Sequence, residues 1–259
     1  MKISLITACY KSAGTLRTAM DSVLEQKGVE LDYIVVDGGS DDGTVELLKE
    51  YEAKFAGRMR WISEKDRGMY DAINKGIKIA TGDIVGILNA DDILECDSTL
   101  ANVAAAFHEG IDAVYADIRF VKEGDSVEEL RAAKNVRYCS AARWRPWMFR
   151  FAAMVPHPSF YVRRHCFDKL GGYSLDYRIC ADFELELRFL GLAKLSAAYL
   201  PECVVVMRMG GASTAGWRSN VEINREDLRA LRSHGIWSCL PLIYLKYLFK
   251  IWGFVFKRV

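Results

Sequence analysis

Asp91 and Asp92 stand side by side in "ATGDIVGILNADDIL", residues 80–94, directly after an apolar run that reads as a buried strand. Adjacent carboxylates repel each other and resist burial. Such a pair must face a cation or a donor-rich ligand, or else cap a helix, where Asp is favoured. Other acidic groups recur after strand-like runs: Asp37 and Asp41 in "YIVVDGGSDDGT", and Asp66 in "SEKDRG". Hard oxygen donors at one rim suit Mg2+ or Mn2+, which bind through one or two carboxylates and complete their shell with phosphate oxygens and water. Asp182 in "ICADFELELR" opens a helical pattern, where it could be either a cap or a general base. Glu184 is its rival, two residues along and so on a different helix face.

The elements that must position these groups follow from hydropathy. "KISLITA" is a short apolar run, and Leu16, Ala19, Met20, Val23 and Leu24 follow at helical spacing. The unit recurs as "LDYIVVD" with a helix from Thr44 to about Phe55, and as "MRWIS" with a helix from about Met69 to Ala80. "DIVGIL" and "DAVYAD" then flank a helix from about Ser98 to His108. Regular alternation predicts an α/β fold with a mostly parallel sheet covered by helices, and ligands gather at the carboxyl ends of such strands. The acidic clusters fall at those ends.

The ordered set "SLITACYKSAGTLRTAMDSVLEQ", "YIVVDGGSDDGT", "SEKDRGMYDAINKGIKIATGDIVGILNADD" and "HPSFYVRRHCFDKLGGYSLDYRICADFELELR" resembles the inverting, nucleotide-sugar-dependent glycosyltransferases of family 2, with the GT-A fold. Bacterial surface-polysaccharide enzymes of the colanic-acid type are similar to it. The resemblance covers roughly residues 1–215. It implies a GT-A domain over 1–216, divided into a nucleotide-sugar half, 1–117, and an acceptor and base half, 118–216, followed by a helical extension, 217–259. It also implies that Thr7, Ala8, Tyr10, Asp37, Asp66, Gly68, Asn89 and Asp91 border the nucleotide, that Asp92 holds Mg2+ or Mn2+, and that Asp182 is the base. His157, Arg208, Gly211 and Ser213 are candidate contacts to acceptor or diphosphate. Many relatives carry "DDGS" where this chain has "DGGS", so Gly38 stands in place of an acidic residue.

In "AARWRPWMFRF", arginines interleave with aromatics, which fits an acceptor carrying sugar and diphosphate or, as readily, a packing turn. The stretch "LPLIYLKYLFKIWGFVFKRV", 240–259, puts Lys246, Lys250 and Lys257 on one edge of an apolar helix, predicted to lie flat in a membrane interface. Docking on the domain or in a homodimer is the alternative. Residues 217–259 hold eight Lys/Arg and three Asp/Glu, which favours anionic headgroups. The implied partners are a nucleotide-diphosphate sugar and a polyprenyl-diphosphate-linked saccharide.

A net charge of +1 removes the general electrostatic reason to bind nucleic acid. Seven scattered cysteines without a C-x-x-C pair and an N-terminus lacking a signal-peptide apolar region predict a cytoplasmic chain, peripheral on the inner membrane face. A nucleotidyltransferase would want a Gly-rich basic phosphate loop after the first strand, which "ACYKSAGTLR" supplies poorly. A non-catalytic scaffold would want missing carboxylates, yet Asp37, Asp91, Asp92 and Asp182 are all present.

Overall fold

The computed structural model describes residues 1–122, 124–209 and 217–247. Strand and helix alternate as β1 (Lys2–Cys9), α1 (Leu16–Leu24), β2 (Glu30–Asp37), α2 (Thr44–Lys54), β3 (Met59–Ser63), α3 (Met69–Ile79) and β4 (Ile84–Ile87). Next come β5 (Ile93–Leu94), α4 (Thr99–Ala106), β6 (Ala113–Val121), α5 (Val127–Ala132) and β7 (Arg137–Cys139). Two 3-10 helices, Pro146–Phe151 and His157–Ser159, lead into β8 (Tyr161–Arg163) and α6 (Arg164–Leu170). Then α7 (Ala181–Glu186) runs on as a π-helix, Leu187–Leu192, before β9 (Ala197–Arg208), α8 (Trp217–Ser233) and α9 (Leu240–Tyr244).

The described strands form one sheet in the order β3-β2-β1-β4-β8-β6-β9-β5, with β7 on β6. From β3 to β4 all pairings are parallel, and β1 and β2 run in register from Lys2 opposite Glu30 to Cys9 opposite Asp37. Because right-handed crossovers carry every helix back to the same strand polarity, the loops bearing Tyr10, Gly38, Asp66 and Asn89 all emerge at one edge. Beyond β4 the sheet turns antiparallel through β8, and β6 and β9 pair in parallel with a bulge at Asp117. Gly86 in β4 is needed there, since a Cβ would overlap the ring of Tyr161 in β8.

Both faces are covered. On one, Leu16, Met20 and Val23 of α1 and Leu48 of α2 meet the sheet at Leu5, Val35 and Tyr33. On the other, Tyr70 and Ile73 of α3 join Phe183, Leu185 and Leu187, and the same cluster takes in Leu228 and Leu231 of α8 and Ile243 of α9. Complete burial of one such side chain is worth about 1.5–3 kcal/mol, which is ample to hold α8 and α9 against the domain.

The predicted basic edge of the C-terminal helix needs correction at Lys246. Its ammonium sits 2.6 Å from Asp227 Oδ2, and both side chains are buried. Helical periodicity could not foresee this, because the countercharge comes from a different helix. Among the described residues no helix is long and apolar enough to cross a membrane. Lys250 and Lys257 lie outside the described residues.

Candidate active site

The loop after β1 carries Ala8, half-buried, and Tyr10, whose ring is 60 % exposed at the sheet edge. Thr7 does not reach that rim. It is fully buried and accepts a hydrogen bond from the Tyr33 hydroxyl at 3.1 Å, so its part is internal packing. Asp37 ends β2 and is also fully buried. Its carboxylate accepts from Ser40 Oγ at 2.5 Å, Ser63 Oγ at 2.6 Å, and the backbone N–H groups of Gly39 and Ser40 at 3.1 and 2.9 Å. Burial alone would raise its pKa, but these donors more than offset that and hold it below the usual carboxylate range. Asp37 therefore shapes the loop with every lone pair engaged.

The expected ring of five carboxylates is smaller than the sequence suggested. Asp41 is paired with Lys11 at 2.8 Å in the open, and Asp42 bonds Thr44 at the start of α2, so the "DD" after β2 works as loop and helix-start chemistry. Asp66 stays at the edge, its Oδ1 taking the Gly68 N–H at 2.8 Å. Gly68, at φ +120°, holds a conformation reserved for glycine and begins α3. A Cβ on Gly38 would stand 2.7 Å from Asp66 Oδ2 and 3.2 Å from the Tyr10 ring. The missing side chain in "DGGS" is what lets Asp66 and Tyr10 close over this loop.

After β4, Asn89, Asp91 and Asp92 form a turn into the two-residue strand β5, with no helix following for the pair to cap. The capping alternative fails on that ground. Asp92 is 1 % exposed; Asn89 Nδ2 donates to its Oδ2 at 2.8 Å, while Oδ1 has no hydrogen-bond partner. Burial first, then the charge of Asp91, pushes the Asp92 pKa well up, with the Asn89 hydrogen bond and then Arg208 opposing. An orphaned, buried carboxylate oxygen beside a second carboxylate costs free energy unless a proton or a cation joins it. The donor set, all hard oxygen, fits Mg2+ or Mn2+. Arg208, at the end of β9, gives Nη2 to Thr18 Oγ1 and the Gly124 carbonyl, and its buried Nη1 is unpaired among the described residues. Gly211 and Ser213 lie outside those residues.

Asp182 sits in the first turn of α7, partly exposed, with Phe183 N–H donating to Oδ1 at 2.8 Å. Desolvation raises its pKa to about 6; the bond from the Phe183 N–H pulls the other way, and Glu226 adds to the rise. Glu184 is removed as a rival base. It is buried, Arg188 grips both its oxygens at 2.7 and 2.9 Å, and His234 Nε2 lies 2.8 Å from Oε1. His157 meets the Tyr173 hydroxyl at 2.7 Å, and burial drops its pKa to about 4, leaving it neutral.

Two residues escaped the sequence reading. Glu186, one turn beyond Asp182 on the same face, is fully buried with Oε1 unpartnered and Oε2 on the Val155 N–H; burial and Asp182 push its pKa well up. Its spacing of four from Asp182 was the available signal. Glu226 of α8 accepts the backbone N–H groups of Arg178, Ile179 and Cys180, each at 2.9 Å, and so clamps the segment that delivers Asp182. No local pattern marks it, since its partners are main-chain groups more than forty residues earlier.

Against known proteins, residues 4–170 match the model of Glycosyl transferase family 2. A PGL/p-HBAD biosynthesis glycosyltransferase of Mycobacterium tuberculosis is 29 % identical over 230 residues, covering 88 % of this chain and 83 % of its own. An uncharacterized glycosyltransferase of the same species is 32 % identical over 194 residues, with coverage of 72 % and 68 %. Among solved structures, the mannosyltransferase PcManGT from Pyrobaculum calidifontis, in complex with GDP-Man and Mn2+, superposes with a TM-score of 0.65 at 21 % identity, over 98 % of this chain and 72 % of that one. S. aureus TarS 1-349 with UDP-GlcNAc gives 0.64 at 16 %, and the chain spans 66 % of its length. At these identities the structural likeness speaks for the fold alone. The parallel half-sheet with its acidic strand ends, the curled antiparallel continuation and the family match over most of the chain together make this protein a member of glycosyl transferase family 2, a transferase with the GT-A fold.

Proposed function

We propose that the protein is an inverting glycosyltransferase that moves a sugar from a nucleotide-diphosphate donor to a hydroxyl of a lipid-linked saccharide, in the building of a cell-surface polysaccharide or glycolipid on the inner membrane face. The observation that carries the reading is the contrast between two carboxylates: Asp92, buried with an unpartnered oxygen, and Asp182, partly exposed with its pKa near 6. One suits a cation and the other suits proton abstraction near neutral pH.

The donor would extend along the carboxyl edge from β3 to β4, three strand spacings or roughly 14 Å, over which a base, a ribose and two phosphates reach. Tyr10 supplies an exposed ring face for the base. Asp66 and Gly68 border it, Asp37 holds the loop beneath, and Asn89 and Asp91 meet the ribose and phosphate. Asp92, with Asp91, would hold Mg2+ or Mn2+, whose chemistry is to stabilise the charge that develops on the departing diphosphate. PcManGT binds GDP-Man with Mn2+ and TarS binds UDP-GlcNAc, which supports a nucleotide-sugar donor here.

Asp182 takes the proton from the acceptor hydroxyl as the oxygen attacks the anomeric carbon in line, and configuration inverts. Partial removal from water serves this step: it raises the basicity of the carboxylate while leaving it ionised at neutral pH. We assign the acceptor saccharide to a cavity of about 440 Å³ lined by Tyr115, Trp144, Arg145, Leu190 and Tyr199, on the strength of its aromatic faces.

Thermal-shift titration with nucleotide sugars, with and without Mn2+, tests the donor half: a matched donor raises the melting temperature, and more so with the metal. No shift with any uridine or guanosine sugar nucleotide overturns it. Asp182→Asn should keep that shift and lose transfer.

A further inference from the structure

We infer that the face built by the 3-10 helix Pro146–Phe151 and helix α9 is a docking surface for an anionic lipid bilayer. This rests on the membrane part of the reading above, but places the contact on two folded elements that come together from distant parts of the chain.

Large apolar side chains concentrate there. Trp147 is 60 % exposed and Trp237 71 %, and Leu240, Tyr244 and Leu245 are each more than a third exposed. The two elements are one unit: α9 sits against the 3-10 helix, Ser238 Oγ donates to the Arg150 carbonyl at 2.7 Å, and Ile243 and Phe149 share the core beneath. Trp144 and Phe149 turn inward, so the aromatic run at 144–151 is divided between core and surface.

Charge identifies the occupant. Arg143, Arg145 and Arg150 are exposed beside Trp147. Neither residues 140–155 nor residues 234–247 contain an Asp or Glu, so the charged side chains these two segments bring are all positive. A second copy seated on this face would set arginines against arginines. An anionic headgroup layer over hydrocarbon complements both features: indole rings are favoured at the membrane interface, and arginines reach phosphates from its edge. Arg145 and Pro146, at the start of the same 3-10 helix, also line the cavity assigned to the acceptor, which would bring a lipid-linked saccharide close to the surface the protein rests on.

The test is flotation of the full chain with vesicles of phosphatidylcholine alone and with phosphatidylglycerol added, for the wild type, Trp147→Ala/Trp237→Ala, and Arg143→Glu/Arg150→Glu. The wild type should bind the anionic vesicles selectively. The tryptophan pair should lower partitioning at least tenfold, and the paired arginine reversal about twenty-five-fold or more. Equal binding of both vesicle types, or undiminished binding by the tryptophan pair, overturns the proposal. So does a wild-type dimer that this pair converts to monomer. So does loss of all binding when only residues 248–259 are removed. Each variant must retain the donor-induced melting shift, which separates failure of this surface from failure of the transferase reading.

Discussion

Replacing Asp182 by Asn should make the protein more stable while it removes transfer, and the gain should depend on pH. The folded-state pKa of Asp182 lies near 6 against an ordinary value of 3.8. Because it is raised, ionising Asp182 costs folding free energy, a cost that is absent at low pH, opens as pH rises between the two values, and is constant above the higher. By linkage the cost is at most about 3 kcal/mol at pH 8, about 1.6 at pH 5 and about 0.6 at pH 4. Asn escapes it and keeps a carbonyl oxygen for the Phe183 N–H. The variant should then melt roughly 5–10 °C above the wild type at about pH 8, the margin shrinking severalfold by about pH 4. Transfer should fall by 10²–10⁴, roughly the contribution of a general base, and wild-type transfer should decline about tenfold per pH unit on the acid side of about pH 6. Melting curves at several pH values, paired with nucleoside diphosphate release, read both. A variant of equal or lower stability at about pH 8, or one retaining full transfer, refutes the reasoning.

Glu226→Gln should lower kcat on the order of tenfold with little change in donor KM, and move the acid limb of the pH profile downward, since it loosens the segment before Asp182 and removes a charge that raises its pKa. Restored kcat in no conservative variant, with an unmoved limb, would reduce Glu226 to a structural role. Asp92→Asn should abolish the metal-dependent part of donor binding by calorimetry while leaving the metal-free melting temperature the same or higher. Gly38→Ala places a Cβ against Asp66 and Tyr10 and should weaken donor binding about tenfold without unfolding the protein; unchanged affinity would show that this loop is not at the donor rim.

The elements from β1 to β4 were largely legible in the chain because each strand and helix there carries its own signal. "LDYIVVD" and "MRWIS" are continuous apolar or β-branched runs, and α1 and α3 show a clean stripe at helical spacing. The pairing of β9 with β6 was not legible, since sheet order beyond the alternating units is set by packing alone. At the proposed site, position along the chain singled out Asp92, Asp66 and Asp182 as candidates but could not say which carboxylates remain open. Asp41 is taken by Lys11, Glu184 by His234 as well as by Arg188 one turn on, and Asp37 by Ser63 as well as by its own loop; the contacts to Lys11, His234 and Ser63 join separate elements and leave no local mark. Lys246 misled for the same reason: its helical stripe looked amphipathic until Asp227 supplied a buried counterion.

The grip of Glu226 on residues 178–180 also sets an order of events during synthesis. On the proposed assignment, the strands that would meet the donor leave the ribosome first, whereas the carboxylate proposed as proton acceptor is brought into line only when a helix translated some forty residues later settles behind it. On that assignment, competence for transfer would arrive late, only once α8 has been made.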